Sequence, residues 1–372
     1  MVSVLNEIKP LSPGQELLMK SLKSKNYDII GVFGPTGTGK SLISCAYGIG
    51  SVLDGVYKRF ILTRPIVDIA TGREYTSLEL GDLYYKLSFS YLEDIFGGLI
   101  GLKELKRLWD EGKLVIADPH FLRGRTFDES ILLFDDVQSA KPETVSELIM
   151  RMGRGSKLII AGDPIFQSLE VSGRDPASVI REVLLGEERA LVVDLGIADV
   201  VRPGARRGIK LALGMRMIRR ELSQEERRIT EVAKLKAPDA ELVTVLEFRK
   251  EKEEFGIEAT GFPDALIVVK EGYLGRLVGR GGERIGTMER ELGLRLRAVE
   301  LTLDLKKIVT ALHPVGWIGK HIINVDFAGP QLQVTVRGSE VGAFLGQRGK
   351  YVRFLDALFK RLMGVGVRVV RT

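Results

Sequence analysis

Short, uninterrupted apolar runs recur through the first half of the chain, separated by polar or amphipathic stretches. Ile29-Ile30-Gly31-Val32-Phe33, Phe60-Ile61-Leu62-Thr63, Leu114-Val115-Ile116-Ala117, Ile131-Leu132-Leu133-Phe134, Leu158-Ile159-Ile160-Ala161 and Leu191-Val192-Val193-Asp194 are the clearest of them. Apolar runs this short, without in/out alternation, predict parallel strands covered on both faces. Helical spacing fills several gaps, as in Glu143-Thr144-Val145-Ser146-Glu147-Leu148-Ile149-Met150, which stops near Gly153. The pattern predicts an open α/β sheet with helices on both faces, whose ligands bind beyond the carboxyl ends of the strands.

From about Met215 to Glu254 the pattern breaks into charge clusters, among them Gln224-Glu225-Glu226-Arg227-Arg228 and Arg249-Lys250-Glu251-Lys252-Glu253-Glu254. Such runs read as solvated helix faces or linkers. We therefore expect a first domain over 1–215 and a charged, partly helical linker over 216–260. The last third repeats itself. Leu277-Val278-Gly279-Arg280-Gly281-Gly282-Glu283-Arg284-Ile285 parallels Phe344-Leu345-Gly346-Gln347-Arg348-Gly349-Lys350-Tyr351-Val352. Each copy runs on into an amphipathic helix and then a strand-like run. Two small α+β domains, 261–303 and 304–372, are the expectation.

Between the first strand and its helix lies Gly34-Pro35-Thr36-Gly37-Thr38-Gly39-Lys40-Ser41, which fits the phosphate-binding pattern G-x-x-x-x-G-K-[ST]. The glycines let backbone N–H groups close around a pyrophosphate, and the helix that follows aims its positive end at the same anion. Lys40 is expected at the β- and γ-phosphates and Ser41 at Mg²⁺. The strand Ile131–Phe134 ends in Asp135-Asp136-Val137-Gln138, an acidic partner for that loop. Asp135 is assigned to Mg²⁺, and Asp136 to orienting or deprotonating the attacking water. Asp163, in Gly162-Asp163-Pro164, and Gln167 end the next strand, where they face the γ-phosphate and can sense nucleotide state.

Composition narrows the setting. The 372 residues hold one cysteine, Cys45, so no disulfide forms within the chain, which suits a reducing compartment. Met1–Glu7 lacks the basic and apolar regions of a signal peptide, and no apolar run reaches spanning length. A cytoplasmic protein that does not enter a membrane is expected. Gly261–Thr372 carries 18 Lys and Arg against 10 Asp and Glu, a net of +8, while the remainder carries 37 against 39, a net of −2. A basic block confined to one region suggests a polyanionic partner.

In order along the chain stand Gln15, the phosphate loop, Thr63-Arg64-Pro65, Gly81-Asp82-Leu83, Arg123-Gly124-Arg125-Thr126, Asp135–Gln138, Gly162-Asp163 and Val200-Val201-Arg202-Pro203. This series resembles PhoH-like ATPases, P-loop proteins related to helicases, over about the first 210 residues. The resemblance implies ATP binding and hydrolysis, with Gln15 near the adenine and Arg202 at the γ-phosphate. It also implies ring-shaped homo-oligomers. The chain departs from the family pattern at Asp136, where glutamate is usual, and at Pro203, where histidine is usual. The shorter acid implies slow hydrolysis.

The two G-x-x-G copies resemble KH domains, in which such a loop joins two helices and clamps about four nucleotides of backbone. Their spacing is similar to the tandem KH unit of NusA-type transcription factors. By that resemblance Gly279, Arg280, Gly281 and Gly282, and Gly346, Gln347, Arg348 and Gly349, contact single-stranded RNA. The expected function is an ATP-hydrolysing protein that couples nucleotide state to RNA binding or remodelling, with helicase action as one form. The alternative is a nucleotide-gated RNA adaptor with slow hydrolysis and no unwinding.

Overall fold

The computed structural model describes residues 3–167 and 175–372; Met1 and Val2, from the stretch read for a leader, lie outside them. The chain divides into two compact units, one of residues 1–206 with 328–330 and one of 207–327 with 331–372. Among the described residues no helix is long and apolar enough to cross a membrane.

The first unit is built on six strands: β1 Ile29–Phe33, β2 Arg59–Thr63, β3 Leu114–Ala117, β4 Ser130–Phe134, β5 Lys157–Gly162 and β6 Ala190–Asp194. All neighbours run parallel, in the order β3-β2-β4-β5-β1-β6. Every apolar run picked out from the sequence falls on one of these strands. The reason is visible in the packing. Ile30, Val32, Ile131, Leu133, Ile159 and Ala161 enter a core on one face of the sheet, and their neighbours Ile29, Phe33, Leu132, Phe134, Leu158 and Ile160 enter the other. A strand covered on both faces has no polar side to show.

Helices α1 Pro13–Lys23 and α2 Lys40–Leu53 flank β1, and α3 Asp82–Phe96 follows β2. β5 lies between β4 and β1, with Phe33 level with Gly162. The ends of these three strands therefore bring the phosphate loop, Asp163 and the Asp135-Asp136 pair side by side.

The second unit holds two three-stranded sheets. One contains β7 Leu242–Glu247, β8 Ala265–Lys270 and β9 Leu296–Leu301, with β8 central, parallel to β9 and antiparallel to β7. The other contains β10 Ile322–Ala328, β11 Gln331–Val336 and β12 Gly366–Arg371, with β11 central and parallel to β12. The internal repeat is structural. β8 leads into the short helix Leu274–Val278, the loop, α4 Glu283–Leu292 and β9. β11 leads into Val341–Leu345, the loop, α5 Lys350–Met363 and β12. Phe354 of α5 packs edge-on against Phe248, 5.9 Å between ring centres, and also meets Phe262 at 5.9 Å, so the two halves share a core.

Candidate functional site

Gly37 and Gly39 hold φ values of 82° and 86°, a region L side chains rarely adopt. A Cβ at Gly37 would lie 2.4 Å from the Ala205 Cβ, so glycine is needed there twice over. The loop closes on Lys40, which is 9% exposed and donates from Nζ to the carbonyls of Gly34 (2.7 Å) and Pro35 (2.9 Å). Burial pulls its ammonium pKa down, opposed by the charges of Asp163, Asp135 and Asp136.

Asp135 is 1% exposed. Its backbone N–H donates to the Thr63 carbonyl at 2.9 Å, which ties it to the end of β2. Its carboxylate accepts hydrogen bonds from the hydroxyls of Tyr91, on α3, and Ser41. Burial raises its pKa, and the neighbouring Asp136 acts the same way. Asp136 sits at φ 55°, a left-handed conformation for a non-glycine residue. The Arg64 guanidinium grips its carboxylate at 2.9 Å, and Gln138 donates to it at 3.2 Å. Arg64 in turn lies over the Tyr91 ring, 3.8 Å from its centre. Tyr91 thus supports both acids, one through its hydroxyl and one through its ring.

Asp163 is 1% exposed and accepts the backbone N–H groups of Thr36 (3.2 Å), Ile165 (3.0 Å) and Phe166 (2.9 Å). Its own N–H donates to the Gln138 side chain at 3.0 Å, and Gln138 reaches Gln167 at 3.0 Å. Burial raises the Asp163 pKa and the Lys40 charge lowers it, the first being larger. An unbroken hydrogen-bonded series therefore runs from the phosphate loop at Thr36 through Asp163 and Gln138 to Asp136 and Arg64.

These groups border a cleft of about 390 Å³ lined by Thr36, Lys40, Ser41, Asp136, Gln167 and Arg202, with Tyr91, Asp94 and Ile95 of α3 along one wall. The structure thus brings Lys40, Ser41, Asp135, Asp136, Asp163, Gln167 and Arg202 together within one chain. Gln15 is 4% exposed and stands at the back of the loop, where its amide donates to the Thr38 carbonyl at 2.9 Å. Sequence reasoning missed Tyr91. Its partner lies 44 residues away, and its own surroundings in the sequence carry no motif.

In the second unit, the two glycine loops adopt matching backbones. Gly279, Gly281 and Gly282 have φ of 77°, 63° and 83°; Gly346, Arg348 and Gly349 have 70°, 53° and 72°. Gly282 and Gly349 cap the N-termini of α4 and α5. Arg280, Gly281, Gln347 and Arg348 are exposed. Space beyond Gly281 and Gly282 is open, with nothing within 4 Å of an added Cβ.

The sequence profile of the family described as PhoH-like protein matches residues 7–214, more than half of the chain. Among curated proteins, a PhoH-like protein of Bacillus subtilis is 29% identical over 206 residues, which is 53% of this chain and 63% of that protein. A PhoH-like protein of Synechocystis is 29% identical over 181 residues, 48% of this chain and 54% of the relative. The chain thus spans about half to three-fifths of the length of these relatives. Among solved structures, the large terminase from a thermophilic bacteriophage is similar over 56% of this chain and 50% of its own, at 14% identity and a TM-score of 0.36.

Proposed function

The chain belongs to the PhoH-like protein family, and from that premise we propose that it hydrolyses ATP and couples the nucleotide to a bound single strand of RNA. One observation carries the first half of the proposal: Lys40, Ser41, the acid pair and Asp163 converge at the ends of three adjacent parallel strands. The loop amides and the α2 N-terminus receive the phosphates. Lys40, freed from the two loop carbonyls, reaches the β- and γ-oxygens.

The hydrogen-bonded hydroxyl of Ser41 and carboxylate of Asp135 set two hard oxygen donors together, the donor type that Mg²⁺ takes. Ser41 and Asp135 would hold Mg²⁺, which when bound offsets charge building on the phosphate oxygens. Tyr91 fixes the Asp135 carboxylate. Asp136, pinned by Arg64 and Gln138, orients the attacking water, and Arg202 on the cleft wall meets the γ-phosphate.

The second half rests on the repeated strand, short helix, glycine loop, helix and strand of the second unit, which supports two KH-like modules. Open space at the first loop, exposed Arg280 and Arg348, and the net +8 of 261–372 suit a phosphate backbone. The test is steady-state phosphate release from ATP with and without single-stranded RNA. RNA is expected to stimulate turnover; flat turnover across a wide RNA titration rules out coupling.

The Arg64–Asp136 pair favours a second reading, a nucleotide-gated RNA adaptor. With its carboxylate occupied by the Arg64 guanidinium and the Gln138 amide, Asp136 has less capacity left to engage the water, so hydrolysis would be slow and would serve as a timer. ATP-dependent displacement of an annealed strand would exclude that reading.

A further inference from the structure

Reading an adenine takes a side chain with a donor and an acceptor on one edge, and glutamine supplies both from its amide. In this chain that amide is already engaged at both ends. Ser12 caps α1, with its hydroxyl accepting the Gln15 N–H at 3.2 Å, and Pro13 opens the helix. Gln15 is then the third helical residue, the position from which a side chain folds back over the helix start. Its Oε1 accepts the Leu11 N–H at 2.8 Å. Its Nε2 donates to the Thr38 carbonyl at 2.9 Å, in the middle of the phosphate loop.

The surroundings hold it there. Asp199 accepts the N–H of Gly14 at 3.0 Å and that of Gly196 at 2.9 Å, which fixes the start of α1 against the chain after β6. A Cβ at Gly39 would stand 3.1 Å from Gln15 Nε2, so Gln15 packs directly behind the loop. It does not line the cleft. Apart from the phosphate loop and the hydrogen-bonded Tyr91 and Asp136, the polar side chains that line the cleft among the described residues are Asp94, Gln167 and Arg202. All three are exposed. Strong discrimination between related ligands comes from buried polar groups that a wrong ligand leaves unpaired. Exposed groups remain wet whichever base is present, so they impose no such penalty.

We infer that this site selects the polyphosphate and not the base, so that it takes nucleotides as a class, GTP as well as ATP, and that Gln15 is a positioning residue of the phosphate loop. The inference rests on the nucleotide reading above. It differs from that reading in what Gln15 does and in the breadth of substrate.

The experiment is calorimetric titration of the full chain with Mg²⁺ and ADP, GDP or inorganic pyrophosphate, in the wild type and in Gln15→Ala and Gln15→Glu. ADP and GDP are expected to bind within about tenfold of each other. Both substitutions are expected to weaken all three ligands by a common factor of about ten, because the loop that holds the phosphates loosens. Pyrophosphate is the decisive arm, since it has no base to read. A wild-type preference for ADP above tenfold overturns the inference, and so does a loss confined to ADP. Should neither variant fold, the wild-type ADP to GDP ratio alone decides. If none of the three ligands binds the wild type, the nucleotide reading itself falls, whatever Gln15 does.

Discussion

Both units bury charge, and they do so in opposite ways. In the first, three carboxylates, those of Asp135, Asp136 and Asp163, share two cations, the Lys40 ammonium and the Arg64 guanidinium that grips Asp136. In the second, the fully buried carboxylate of Glu226 faces two guanidinium groups, Arg220 at 3.1 Å and Arg361 at 3.0 Å, and accepts the N–H groups of Ser223 and Glu247 as well. With Glu251, which also pairs with Arg361, the second cluster is balanced in charge. The first leans in part on partners that can be exchanged, since Lys40 rests on loop carbonyls and Asp163 takes one of its N–H partners from the loop. Such exchangeable contacts suit the proposed binding of a triphosphate and Mg²⁺. A joint between two modules does not call for them. Buried charge by itself therefore identifies neither chemistry nor structure; the balance of its charges and the exchangeability of its partners separate them.

The largest expected effect comes from breaking the balanced cluster. Glu226→Ala leaves the buried Arg220 without its carboxylate and takes one of two from Arg361, and should cost about 3–5 kcal/mol of stability, read by chemical denaturation. Lys40→Ala removes charge from the unbalanced cluster. It should leave the melting temperature nearly unchanged while phosphate release falls about 10²–10³-fold. A Lys40→Ala protein as destabilised as Glu226→Ala would erase the contrast.

A smaller effect belongs to the exposed loops. Gly281→Asp combined with Arg348→Asp puts carboxylates where a phosphate backbone should approach, at positions whose left-handed φ aspartate tolerates. RNA affinity in a filter-binding assay should drop at least about tenfold, with ATP turnover in the absence of RNA unaltered. The smallest concerns the backbone of Asp136. Asn visits the left-handed region more readily than Ala does, so Asp136→Ala should unfold about 1 kcal/mol more easily than Asp136→Asn. Both should lose hydrolysis alike; equal stability of the two would mean that the φ of 55° carries no strain.

Much of the first unit was legible because its chemistry and its strands are local in sequence. The apolar runs fell on β1 to β6, and Lys40, Ser41, Asp136, Gln167 and Arg202 line one cleft. What escaped is what acts across sequence. Tyr91 is one tyrosine among several on α3, and only folding brings its hydroxyl to Asp135 and its ring beneath Arg64. β7 escaped for another reason. Leu242–Glu247 lies between charge-rich stretches, α-helical Gln224–Lys236 and Arg249–Glu254, so charge counting hides a strand buried along most of its length. Gln15 shows a third kind of difficulty. Its place in the motif order brought it to the loop but could not tell which side of the loop it faces.

The Glu226 joint has a consequence for length. Arg361 comes from the helix that follows the second glycine loop, while Glu226 and Arg220 precede the first module, and the phenylalanine cluster spans the same seam. Two modules locked this way present their loops at one fixed separation. If the second unit binds RNA as proposed, a strand gripped by both loops would have to bridge that gap, and the unit would act as a gauge, with binding expected to rise in a step once an oligonucleotide is long enough to span it.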